Sequence, residues 1–490
     1  MAFNCFPDTW SWIQDLPPIT QWEKNVMSIC IYTSEYNPMS LNFSVSKSHK
    51  NHSAVFSILA DTVTLWSSKS FKLNTGGKIN EEIVFYLFHN LVTSVVGYGP
   101  KKKNTSTYIP TFDSTLRHFK DIFNLSLFTL GFLICIYEAP PSFRLRCVNA
   151  FQDHLTSSHS KEASKMLMRF IGSNLEEQWM RSLSLAITNW IVEHNSSSHT
   201  VRALSPLFSY ANSTIGLWKV QLYGPVIAMD IEKSSNTSAD ERLSFSLNYQ
   251  LVEGVIQFCY KVVPRQKWVD VVVNIDNIRC DVIQLVSKTL AAKRGVGTEE
   301  KYFPSRISLQ LTPTFQTNVF SVSVSKSSEN PVREIGIEKT LEGSFNPPTS
   351  FGLTVAAGET MTISLKPWKF EQSVYGYSAN LNWFLHDSND GREVASSKPS
   401  KLALCLPNAW FKNRYSSAYR PFTRQGGVVF AGDEYGDNVL WKVDRSAIGK
   451  SKEWEIKGQI WITYWPNTYR TFYNETKMLE FREIFELSLV

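Results

Sequence analysis

Four basic and five aromatic side chains share one short stretch, Trp410, Phe411, Lys412, Arg414, Tyr415, Tyr419, Arg420, Phe422 and Arg424. An arginine fork pairs with carboxylate or phosphate and also stacks on a ring, so this mixture can clamp an anion and pack a flat group beside it. The stretch keeps no period and ends in Gly426-Gly427, which reads as a long loop. An architectural reading fits the same residues, with Trp410, Tyr415 and Phe422 as core anchors and the cations at the rim. A second aromatic group, Trp461, Tyr464, Trp465, Tyr469, Phe472 and Tyr473, flanks an expected turn at Pro466-Asn467-Thr468. On a strand Trp461 and Trp465 point opposite to Tyr464, so both faces are aromatic and one of them needs a cover. The expected binding residues are therefore Trp410, Lys412, Arg414, Tyr415, Tyr419, Arg420, Arg424, Trp461 and Trp465. Whether the loop and the 461 to 473 hairpin adjoin is left open by the sequence.

Other chemistries leave little trace. Gly449-Lys450-Ser451 resembles the end of a phosphate loop, but Asp444 stands where its first glycine belongs. There is no Gly-x-Ser-x-Gly, His-Glu-x-x-His, Cys-x-x-Cys or dinucleotide glycine motif. Eight of nine histidines precede residue 200, and His386 sits in an expected hairpin tip, Asp387-Ser388-Asn389-Asp390-Gly391. The acidic run Asp433-Glu434-Tyr435-Gly436-Asp437 matches no EF-hand spacing and reads as a solvated turn. Neither catalytic residues, metal ligands nor a cofactor are expected. Cys5, Cys30, Cys135, Cys147, Cys259, Cys280 and Cys405 are odd in number and mostly embedded in apolar runs, so they read as buried free thiols.

The elements that must position these residues follow from hydrophobic period. The chain of 490 residues is 43% hydrophobic and 19% charged, which excludes global disorder. Its net charge of +6 is evenly spread, with 17 basic against 15 acidic residues up to position 200, which argues against a dedicated polycationic nucleic-acid module. Residues 26 to 73 suggest three or four strands. From Lys78 the period becomes helical, with Ile83, Leu87 and Leu91 on one face and a stop at Gly99-Pro100. Further helices are expected near 115 to 137, 142 to 156, 160 to 171 and 174 to 193. In the last, Trp179, Leu183, Ala186, Ile187 and Trp190 share a face, and Asn174 with Glu177 has capping-box spacing. The apolar run Ile122 to Tyr137 is short for a bilayer span and reads as a buried helix.

Beyond the polar run Asn195 to Thr200, period two dominates: Val269, Val271, Val273 and Ile275, then Ile307, Leu309 and Leu311, then Phe320, Val322 and Val324, then Met361, Ile363 and Leu365. Trp454, Ile456, Ile460, Ile462 and Tyr464 continue it, which is the antiparallel signature of sandwich layers. A short helix is expected at 281 to 293. The fold class is α+β: a small N-terminal sheet (1–75), a helical region (76–196), and a large antiparallel β-sandwich region read as β-rich units at 205–326 and 353–490. Residues 327–352 form a linker or a long loop. Met1 is followed by Asp8 and Asp15 before the first basic residue, Lys24, which fits neither a secretory leader nor a transit peptide. The expected setting is the cytoplasm, with the nucleus as a second one, and no transmembrane segment is expected. On that setting the eight Asn-x-Ser/Thr matches, Asn124 among them, are coincidental.

The segments Phe370-Glu371-Gln372-Ser373-Val374-Tyr375-Gly376-Tyr377-Ser378-Ala379-Asn380-Leu381-Asn382-Trp383, Phe422 to Val428, Thr463 to Asn467 and Ser173 to Leu183 resemble a land-plant family of uncharacterised proteins. The resemblance spans nearly the whole chain and implies a plant cytosolic or nuclear setting. It implies no catalytic residue. The leading functional expectation is a soluble, non-catalytic binding or scaffold protein that uses a basic-aromatic surface of the β-sandwich, with a protein as the first partner. Glycan, lipid headgroup or nucleic acid are alternatives through the 410–424 loop. Two other classes stay open: an enzyme whose site joins residues distant in sequence, and a membrane-active protein sharing only a helical-front, β-rear layout with crystal-type toxins. An exposed helix around Ile122 to Tyr137 would support the latter, and its burial would remove the motive.

Overall fold

A computed structural model describes residues 6–34, 37–48, 53–73, 79–100, 119–195, 208–227, 243, 245–286, 302–325, 332–337, 361–365, 368–385, 428–431, 438–464 and 475–489. The chain divides into two compact units, residues 1–204 with 285–290, and residues 205–284 with 291–490. The fold is α+β, with a small sheet and helices in the first unit and antiparallel sheets in the second.

In the first unit, helix α1 (Thr9–Gln14) opens on Asp8, whose carboxylate accepts from Ser11 N. Strands β1 (Val26–Ser34), β2 (Asn37–Ser48), β3 (Ser53–Ala60) and β4 (Val63–Ser67) pair antiparallel in chain order, with the short β5 (Phe71–Lys72) on β3. Alternation buries Leu41, Phe43 and Val45 with Ala54, Phe56 and Ile58 on one face. Helix α2 (Glu81–Gly97) starts at Asn80, whose side chain accepts from Ile83 N, and buries Ile83, Leu87 and Leu91 as their spacing requires.

Helix α3 (Phe119–Tyr137) is buried almost all round. Helix α4 (Pro141–Leu155) follows a tight turn and begins with Pro at its first position, where the missing N–H costs nothing. The two helices expected at 160 to 171 and 174 to 193 run together as α5 (Ser158–Asn195), broken at Gly172, whose φ of 76° only glycine adopts cheaply. Trp179, Ala186 and Trp190 are buried, and the buried surface also takes in Ser182, Ser184 and Thr188. Thr188 and Ser182 avoid stranded hydroxyls by local bonds: Thr188 Oγ1 donates to Ser184 O at 2.8 Å, and Ser182 Oγ to Gln178 O at 2.9 Å. Asn124 of α3 ties α1 down, accepting from Thr9 Oγ1 at 2.5 Å and Trp10 N at 3.0 Å and donating to Asp8 at 3.0 Å.

The second unit holds β6 (Phe208–Thr214), β7 (Leu217–Val226), β8 (Gln250–Pro264), β9 (Trp268–Gln284), β10 (Phe303–Pro313), β11 (Val319–Val324), β12 (Val332–Ile337), β13 (Met361–Leu365), β14 (Trp368–Tyr375), β15 (Ser378–Leu385), β16 (Val428–Ala431), β17 (Val439–Asp444), β18 (Ser451–Tyr464) and β19 (Glu475–Ser488). One sheet runs β11-β17-β9-β8-β7-β6 with β16 added on β9, a second runs β14-β15-β10-β18-β19, and β12 pairs with β13. All pairs are antiparallel. The two larger sheets bury their inner faces in one core. Its centre is a tryptophan cluster drawn from both: Trp218 of β7 lies 6.0 Å from Trp454 of β18 and 5.1 Å from Phe485 of β19, and Trp441 of β17 lies 6.0 Å from Trp454.

Four points differ from or add to the expectations. Residues 281 to 284 complete β9, because Asp281, Val282 and Ile283 pair with β8, so no helix starts at 281. Phe320 is exposed, since a bulge between Val319 and Ser321 turns the strand and sends Val319 to the core in its place. A second bulge in β9 switches the buried parity from Val269, Val271, Val273 and Ile275 to Ile278, Cys280 and Val282. Finally, Cys30 and Cys259 are exposed, because both occupy strand positions whose neighbours Ile31 and Phe258 take the buried side.

Candidate binding surface

Of the nine residues expected to bind, Trp410, Lys412, Arg414, Tyr415, Tyr419, Arg420, Arg424 and Trp465 lie outside the described residues, and Trp461 lies on β18. Tyr464 is fully buried and Trp461 half-buried on the opposite face, as period two requires.

What Trp461 meets is set by register. Across the outward face of the five-stranded sheet one rung reads Lys369, Phe384, Arg306, Trp461 and Met478. The Arg306 guanidinium carbon lies 4.2 Å from the centre of the Trp461 ring and 4.6 Å from that of Phe384, so the cation is held between two rings. Each such contact is worth roughly 0.5–1 kcal/mol at a wet surface and about 2 when desolvated. The rings cover Arg306 Nε, which is buried and has no hydrogen-bond partner among the described residues.

The neighbouring cations are occupied differently. Lys369 pairs with Glu371 at 2.5 Å, Lys457 lies 3.4 Å from Glu455, and Arg482 also reaches Glu455. Successive rungs carry hydroxyls and amides that bond across strands: Ser308 Oγ donates to Asn382 Oδ1 at 2.6 Å, the Thr312 and Ser378 hydroxyls hydrogen-bond to each other at 2.7 Å, and Gln459 donates to Glu480 at 3.3 Å. Ser305, Thr463 and Thr476 extend this with hydroxyl contacts of 2.8 and 2.9 Å. Among the described residues of this face, Arg306 makes no ion pair.

Sequence reasoning missed Arg306 and Phe384 because they belong to strands far from Trp461 in the chain. The one available signal was the break of apolar-polar alternation in Phe384, an aromatic at a polar position of β15.

A second polar group is buried at the inner face. The Tyr302 hydroxyl donates to Glu475, whose other oxygen lies 3.4 Å from Lys477 Nζ. Burial pushes the Lys477 ammonium below its usual lysine value, and the Glu475 charge partly restores it. Tyr302 N also donates to Gln250 Oε1 at 2.9 Å, and Gln250 donates to Ser246 O at 2.9 Å. These contacts join Tyr302, Glu475 and Lys477 in one partly buried structural cluster. Among the described residues no group of three or more His, Cys, Asp or Glu could hold a metal ion.

Among the described residues one helix, α3, is long and apolar enough to cross a membrane, and 83% of its most apolar stretch is buried. That burial removes an exposed α3 as support for the membrane-active reading, and it says nothing of strands that cross a membrane as a β-barrel.

No family model and no curated protein matches the chain. Solved structures that align with it include Clostridium perfringens delta-toxin, at 11% identity over 58% of this chain and 90% of that one, TM-score 0.19. The Clostridium perfringens NetB toxin in its membrane-inserted form aligns at 10% identity over 57% of this chain and 98% of that one, TM-score 0.16. A structure described as a pore forming protein aligns at 10% identity over 57% and 93%, TM-score 0.17. Correspondence at these scores carries no argument about fold or activity.

Proposed function

We propose that the C-terminal unit is a non-catalytic binding module whose outward five-stranded face takes a protein segment presenting a carboxylate to Arg306. The carrying observation is the stack of Arg306 between Phe384 and Trp461. The rings hold the guanidinium flat and suppress its rotamers, so little further entropy is lost when its outer N–H groups engage a carboxylate in two parallel bonds. The same rung carries Met478 beside Trp461, and Met478 is 49% exposed. Arg, Trp, Phe and Met are the residues enriched where proteins meet, and Trp and Arg dominate their energetics. This composition favours a protein partner over a glycan or nucleic acid.

The test is selection from a random peptide display library on the immobilised full chain, beside an Arg306→Ala chain whose circular dichroism matches. Acidic peptides enriched only on the unaltered chain, and losing about 30-fold or more in affinity toward Arg306→Ala, are the expected result, the size of an interface hot spot. Equal enrichment on both chains sinks the assignment.

A further inference from the structure

We propose that Cys135 and Cys147 form a redox modification site, a buried thiol pair that hydrogen peroxide closes into an intramolecular disulfide tying α3 to α4. Their sulfurs lie 2.9 Å apart, less than about 1 Å beyond the ~2.05 Å of the bond itself. The juxtaposition is built by the helix pair. Gly131 and Cys135 are one turn apart on α3, Cys147 and Phe151 one turn apart on α4, and they meet in antiparallel register, Gly131 with Phe151 and Cys135 with Cys147.

Gly131 sets the close approach, since a Cβ there would lie 2.9 Å from the Phe151 ring. The turn between the helices is fixed by Pro140 and Pro141 and by Arg144, which donates to Ala139 O at 3.1 and 3.3 Å. Closing the bond therefore asks for a small sulfur displacement within a preset geometry.

In the reaction one cysteine thiolate attacks a peroxide oxygen, the O–O bond breaks, and hydroxide leaves to take up a proton. The second thiolate then attacks the resulting sulfenic sulfur and displaces its oxygen as hydroxide, which is protonated in turn. In total two thiols and one peroxide give one disulfide and two waters; sulfur gives up two electrons and oxygen receives them. Both sulfurs are fully buried, so only a small oxidant suits the seam. Burial and the adjoining Cys135 hold the Cys147 thiol far above its usual range, so closure accelerates with rising pH and with local opening of the helices.

The test uses the full chain, reduced and then treated with hydrogen peroxide, blocked with an alkylating agent under denaturing conditions and digested without reductant. Mass spectrometry is expected to find a Cys135 peptide joined to a Cys147 peptide, two hydrogens lighter than the reduced pair, and the oxidised chain is expected to melt at a higher temperature. Recovery of both cysteines as alkylated thiols after the exposed Cys30 and Cys259 have been oxidised overturns the proposal, as does a link that joins either of them to another cysteine.

Discussion

Single atoms decide stability where the two sheets are most tightly filled. Gly458 interrupts the apolar face of β18, and a Cβ at that position would fall 2.0 Å from Phe481 Cζ and 2.1 Å from its Cε1. The ring of β19 thus occupies the space a side chain would take, which explains why a glycine stands within a central strand. Gly458→Ala is expected to destabilise the C-terminal unit by about 1–3 kcal/mol or more through overpacking, read as a lower urea midpoint with an unchanged slope. A wild-type midpoint would show that Phe481 swings away at little cost. The proposed carboxylate site belongs to the same scale: Arg306 lies between two rings, and Arg306→Lys is expected to bind acidic peptides as poorly as Arg306→Ala, because an ammonium cannot fill the planar gap.

Helix ends set a different, pH-dependent contribution. Tyr98, which follows α2, stacks on Tyr137 at the end of α3 with centroids 5.3 Å apart and planes 8° from parallel. Tyr137 in turn accepts from Asn189 of α5 at 3.0 Å, so three helices meet at these rings. Burial, then the nearby Glu138 and Tyr137, push the Tyr98 phenol up from 10.0 to about 12. The fold therefore disfavours its phenolate. The contribution is fully present below about pH 10 and is lost as the pH rises through about 12, and because Tyr98 is partly exposed, solvent screening keeps it to about 1–2 kcal/mol. Tyr98→Phe is expected to flatten this alkaline loss while changing stability little at neutral pH, measured as the difference between the two chains' urea midpoints from pH 8 to 12. Parallel decline of both chains would exclude Tyr98 as the titrating group.

Across the whole C-terminal unit, sheet order departs from chain order. Strand β10 pairs with β15 on one side and β18 on the other, so Ile307 lies beside both Trp383 and Ile460. Strand β19 closes that sheet and supplies Phe481, Phe485 and Leu487 to the shared core, joined by Leu489 just beyond it, with Phe485 stacked on Trp218 from the opposite layer. Removing residues 475–490 is expected to expose the tryptophan cluster and shift tryptophan emission to the red, with loss of cooperative unfolding of this unit. Retention of native emission would mean the core closes without its last strand.

Period and punctuation were legible in the residues themselves. The face Ile83, Leu87 and Leu91, the helix expected between Lys78 and the stop at Gly99-Pro100, the buried α3 and the alternation of β9, β10 and β18 all rest on contacts within a few residues, which local sequence determines. The bulges at Phe320 and Asp276 were not legible, because an extra residue in a strand is defined only against its partner. Nor was the strand end at 281 to 284, where pairing with β8 overrides an apolar run that suits a helix equally well. Trp461 could be placed on an outward face by alternation alone. That it lies against Arg306, with Phe384 beyond, and that Cys135 meets Cys147, was decided by register between strands and by the close approach of two helices, which follow from packing across the fold rather than from the neighbours of any one residue.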